Sequence, residues 1–154
     1  MSWVLFLVFV VLLLRLSWID FKVLLLPDRL TLSLMWIGLL CNAYGIFVTP
    51  SEAILGAALG YVSFFSISRI YFYVRKKEGL GQGDAKLLGA IGAWLGWQVL
   101  PEVTLIAALL NLLWALFLSI YQSRESLKQH CFPFGPALAI AAMGIMLIQL
   151  LTAK

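Results

Sequence analysis

Of the seven acidic residues in this 154-residue chain, two stand where a carboxylate is hard to explain as a solvated charge. Asp20 ends the first long apolar run, at the C-terminal end of a predicted helix. There the helix dipole disfavours a negative charge, and a membrane boundary makes an ionisable group costly and often functional. Placement alone leaves two readings open: a functional acid, or an ion-pair partner for Arg15 or Lys22. Asp84 lies in Gly79-Leu80-Gly81-Gln82-Gly83-Asp84-Ala85-Lys86. Three glycines at alternate positions leave the backbone unrestricted and let another chain approach it closely. Gly81, Gly83 and Lys86 are therefore the candidate loop and substrate-binding residues. Asp84 also opens a predicted helix, so N-capping is the plainer reading, although a cap does not need three glycines before it. A phosphate cradle does not fit, because the Gly-x-Gly-x-x-Gly spacing and a preceding strand are absent.

Two carboxylates in contact have a defined chemistry. They do not easily both ionise, so one proton is shared between them. The ionised member can take a proton from water while the protonated member donates to a carbonyl, which is general acid–base hydrolysis without a covalent intermediate. Such a pair titrates as a unit, so neither residue is given its own role. The other acids have simpler readings. Asp28, between Pro27 and Arg29-Leu30-Thr31-Leu32, fits an N-cap; Glu78 and Glu125 are loop charges among Lys and Arg. The single His130 has no partner set, and Cys41 and Cys131 give neither metal spacing nor a disulfide framework. No metal and no cofactor is expected.

The elements that must position these residues are set by composition. Hydrophobic residues make up 63% of the chain and charged ones 12%, about half the charged share of a soluble domain. Mean hydropathy is +1.01. Several apolar runs approach or exceed the roughly 18 residues that cross a bilayer. They are continuous rather than alternating, which selects helices over a barrel. The expectation is an all-α polytopic membrane protein of about six transmembrane helices, at 2–19, 29–48, 51–73, 84–100, 102–121 and 133–151, forming a single membrane-embedded domain over 1–154. The first run lacks a basic n-region and a small-residue cleavage site, so it reads as a retained helix.

Charge then gives an orientation. Arg15, Lys22, Arg29, Arg69, Arg75, Lys76, Lys77, Lys86, Arg124 and Lys128 flank one side of that bundle, and only Lys154 among the eleven basic residues lies opposite. The positive-inside rule puts this side in the cytoplasm and both termini outside, in an inner (plasma) membrane. Asp20, Asp28, Glu78, Asp84 and Glu125 share the cytoplasmic side; Glu52 and Glu102 do not. Basic residues confined to short loops exclude a nucleic-acid binder. The fourth helix is short and holds Gly89, Gly92 and Gly96, the last two in small-xxx-small spacing. Close packing there is expected to draw the base of the first helix to the start of the fourth, so that Asp20 and Asp84 meet at the cytoplasmic edge.

Three stretches resemble the type IV prepilin peptidases, membrane aspartic proteases with a Gly-x-Gly-Asp motif. They are Ile19-Asp20 with Leu26-Pro27-Asp28-Arg29-Leu30-Thr31-Leu32, the run from Gly79 through Lys86 to Trp97, and Phe132-Pro133-Phe134-Gly135-Pro136. The resemblance spans nearly the whole chain. It implies that Asp20 and Asp84 are the catalytic pair, that Asp28 is not required, and that prepilin or pseudopilin precursors lose their leader at the cytoplasmic membrane face. Many members carry an N-terminal cytoplasmic domain with paired cysteines associated with methylation. Nothing similar precedes the first helix in this sequence, so the resemblance implies either a peptidase-only form or a truncated piece of a longer chain, and does not extend to methyltransferase activity. Two other classes compete. A cation-coupled carrier would place its acids near the bilayer midplane rather than at helix ends. An inactive assembly scaffold would not need both aspartates.

Overall fold

The computed structural model describes residues 2–23, 26–76, 81–121 and 134–152. Among these residues all regular structure is helical. The six helices are α1 (Ser2–Val23), α2 (Asp28–Ala43), α3 (Pro50–Arg75), α4 (Gln82–Leu95), α5 (Leu100–Tyr121) and α6 (Gly135–Thr152). The all-α expectation and the helix order therefore hold. Glu78, Gly79, Glu125, His130, Cys131, Phe132 and Pro133, together with the basic residues Lys77, Arg124, Lys128 and Lys154, lie outside the described residues.

Four helices, α1, α3, α5 and α6, are long and apolar enough to cross a membrane. Their outward faces carry large apolar side chains that water would not tolerate, such as Leu112, Leu113, Trp114 and Leu116 on α5. α2 and α4 have 16 and 14 residues and fall short of that length. α4 is the central element: every residue from Leu87 to Leu95 is buried. An apolar helix buried all round is a core helix, and here its neighbours are α3 and α2. α1 and α5 pack instead on α6.

The contact of α4 with α3 is made by backbone. A Cβ placed on Gly56 would overlap the carbonyl of Gly92, one on Gly92 would overlap the carbonyl of Gly56, and one on Gly60 would come 2.7 Å from the carbonyl oxygen of Leu88. The small-residue face of α4 thus packs on α3, not on the base of α1 as expected. The reason is that α3 carries matching glycines one turn apart, Gly56 and Gly60, whereas the facing part of α1 carries Phe9, Leu13 and Leu16. α1 reaches α4 through side chains, with the Phe9 and Trp94 rings 4.9 Å apart.

Helix ends follow local chemistry. Thr49 caps α3 in a capping box with Glu52, and Pro50 supplies the fixed φ of a first helical residue. α2 stops at Ala43, five residues before its predicted end, because Asn42 takes over the chain beyond it. The Asn42 side-chain oxygen accepts from the N–H groups of Phe47 and Val48, at 3.1 and 3.2 Å. Its amide donates to the carbonyls of Ala93 and Trp94, at 2.9 and 3.0 Å. Gly45 turns the chain at φ +65°. Trp94 returns a bond from its indole N–H to the Leu34 carbonyl, 2.8 Å. Asn42 is fully buried and all four of its partners are backbone groups. Asn42→Ala is expected to cost about 3 kcal/mol by orphaning them, read as a lower unfolding temperature of the detergent-solubilised chain.

Candidate active site

α1 buries one stripe, Phe9, Leu13, Leu16 and Asp20, at the i, i+4, i+7, i+11 spacing of a single helix face. Asp20 is the polar end of an otherwise apolar seam and is 5% exposed. Among the described residues neither Arg15 nor Lys22 forms an ion pair with it; Lys22 lies over the Trp18 ring instead. The partner comes from the other end of the chain. Gly135, the first residue of α6, donates its backbone N–H to Asp20 Oδ2 at 3.1 Å. The N-terminus of α6 therefore offsets the unfavourable dipole end of α1 on which Asp20 sits.

Asp84 is half-buried in the first turn of α4, as its third residue rather than its cap. The cap position is taken by Gly81. The Asp84 N–H donates to the Gly81 carbonyl at 3.1 Å. Asp20 acts on Asp84 electrostatically. The cluster thus gathers Asp20, Asp84, Gly81 and the Gly135 N–H.

Two candidates fall elsewhere. Gly83 packs against the link between α1 and α2, where a Cβ would lie 2.9 Å from Leu26 Cβ. Lys86 pairs with Asp28 at 2.5 Å. That pair corrects the reading of Asp28 as an N-cap. Pro27 holds the cap position of α2, and no side-chain capping bond is made there. Asp28 is the first helical residue, one position too late to cap, and its carboxylate turns to Lys86 instead. A half-exposed pair of this kind contributes only about 0–1 kcal/mol. Lys86 and Gly89, three residues apart on one face of α4, line a cavity of about 490 Å³ with Asp28, Thr31, Met35 and Tyr61. Asp84, two residues before Lys86, points to another side of the helix.

The sequence alone does not mark Gly135 as functional. Its contribution is a backbone N–H, which no side chain announces. The available signal was its place in Phe134-Gly135-Pro136 at the start of a helix.

Fold and site together define an all-helical membrane protein with two carboxylates from distant segments brought within electrostatic reach at helix ends. The chain belongs to the type IV leader peptidase family, which matches it over residues 7–116. It is 47% identical over 137 residues to a prepilin leader peptidase/N-methyltransferase of Pectobacterium carotovorum subsp. carotovorum, covering 89% of this chain and 48% of that protein. It is 45% identical to one from Aeromonas hydrophila and 43% identical to one from Pseudomonas aeruginosa, each match covering 84% of this chain and 44% of the relative. The chain thus spans about half the length of these curated relatives. No solved structure matches it significantly.

Proposed function

We propose that the chain is a membrane aspartic endopeptidase that removes the leader from prepilin-like or pseudopilin precursors, with Asp20 and Asp84 as its catalytic pair. The observation that carries this reading is the placement of two acids from distant segments in a chain of this family: Asp20 buried in the last turn of α1 on the Gly135 N–H, and Asp84 in the first turn of α4. One carboxylate, ionised, takes a proton from water; the water oxygen attacks the scissile carbonyl carbon. The other, protonated, donates to the carbonyl oxygen. Collapse of the tetrahedral intermediate returns a proton to the leaving amine and breaks the peptide bond. No side-chain nucleophile is needed.

Residues 1–154 act as one membrane-embedded unit in this proposal. The charge pattern supports an inner-membrane location with the site at the cytoplasmic edge and both termini outside. The precursor's own apolar helix packs laterally against the bundle, among lipid, and its basic leader lies at the anionic cytoplasmic surface. The test is direct. The purified chain, reconstituted in liposomes, is incubated with a prepilin-like precursor and the product is sized by mass spectrometry. Leader-free product is expected. A folded chain that leaves the precursor intact overturns the proposal.

A further inference from the structure

Asp20 faces a problem of placement. It sits in the last turn of α1, where the carbonyl ends repel a carboxylate, and it is buried. Burying such a group is tolerable only with a donor aimed at it. Among the described residues the donor bonded to Asp20 is the Gly135 N–H. This N–H belongs to the first turn of α6, where backbone donors have no partner within their own helix. The next residue, Pro136, has no N–H to compete and pre-sets the φ of the helix start. Phe134 precedes it, and its carbonyl accepts the first bond of α6, from Leu138 N–H at 3.1 Å. The Phe134 ring is also 5.9 Å from that of Phe64 on α3, so the start of α6 is anchored to the helix that carries α4.

Residue 135 must also be glycine for this contact to exist. A Cβ there would lie 2.5 Å from Asp20 Oδ2 and 3.0 Å from Cγ, so any side chain would displace the carboxylate.

We infer that Gly135 is a positioning residue of the active site: its N–H holds Oδ2 of Asp20, so that the other carboxylate oxygen is left for the reaction shared with Asp84. The inference rests on the proposed peptidase reading. It explains how an acid on α1, a helix that meets α4 through side chains rather than backbone, is kept at one angle to Asp84. α6 does the holding, across 115 residues of sequence.

The decisive variant changes one atom. A full-length chain assembled by ligating a synthetic 131–154 segment at Cys131 can carry an ester in place of the Gly135 amide, which removes the N–H and adds no bulk. In liposomes with a prepilin-like precursor, kcat is expected to fall about 100-fold with KM unchanged and the unfolding temperature within a few degrees of wild type. Gly135→Ala is the second variant and is expected to lose at least as much kcat. An ester chain that folds and keeps kcat within about threefold of wild type overturns the inference. Should neither variant fold, the ¹⁵N-glycine spectrum of the intact chain decides. A Gly135 amide proton that moves upfield in Asp20→Ala supports the contact; one that does not move overturns it. Failure of the wild-type chain to cleave removes the peptidase reading, whereas wild-type cleavage with an unimpaired ester chain removes this inference alone.

Discussion

Asp20→Asn and Asp84→Asn are each expected to slow leader cleavage by about 1,000-fold or more, with little change in unfolding temperature. The asymmetry between activity and stability follows from the contacts. Asparagine keeps the shape of aspartate and one acceptor oxygen, so the amide side chain at position 20 can still receive the Gly135 N–H and stay buried. What it cannot do is accept or release a proton. Because the two acids act on the same proton inventory, the double variant is expected to be no slower than the worse single one. Measured effects that multiply would mean two independent roles and would remove the shared-proton mechanism. A single asparagine variant that cleaves at the wild-type rate would remove that residue from the site.

The two acids could be found in the sequence because their burden is electrostatic: a carboxylate at the end of an apolar run, and one after a glycine-rich loop, stand out against 12% charged composition. The face of α1 that carries Asp20 could not be found. Phe9, Leu13 and Leu16 define it only because they are buried, and the residues around them are equally apolar, so no periodicity separates lipid-facing from protein-facing positions. The same uniformity hid the partner of α4. Gly92 was readable as a contact residue, but which helix it meets depends on Gly56 and Gly60 of α3 fitting it better than α1 does. Asp28 shows a different limit. An N-cap and a first helical residue differ by one position, and only the observed helix start separates them. Backbone donors are the least visible of all, which is why the partner of Asp20 emerged only from the fold.

The glycine contact between α3 and α4 gives the largest expected effect on stability. In a bilayer, helices are not driven together by the hydrophobic effect, since lipid is as apolar as a leucine side chain; they associate where backbones approach closely. Gly56 and Gly92 meet carbonyl to α-carbon, with no flexible side chain to give way. Gly92→Ala is therefore expected to destabilise the chain by about 3 kcal/mol or more, because the added methyl can be accommodated only by moving a helix. Gly89→Ala should cost less, since its Cβ would stand 3.0 Å from the nearest atom, the Ala57 carbonyl oxygen. Gly144→Ala is the control: a Cβ there meets nothing within 4 Å, and alanine is the better helix former, so the change is expected to be neutral or stabilising by up to about 1 kcal/mol. Unfolding of the detergent-solubilised variants gives the ranking. Cleavage adds a second reading, because a shift of α4 away from α3 also carries Asp84 away from Asp20, whose own position is set by α6. Surviving Gly92→Ala protein should then lose kcat beyond what its folded fraction explains. Equal stability of the Gly92 and Gly144 variants would mean that the backbone contact between α3 and α4 is not what holds the bundle together.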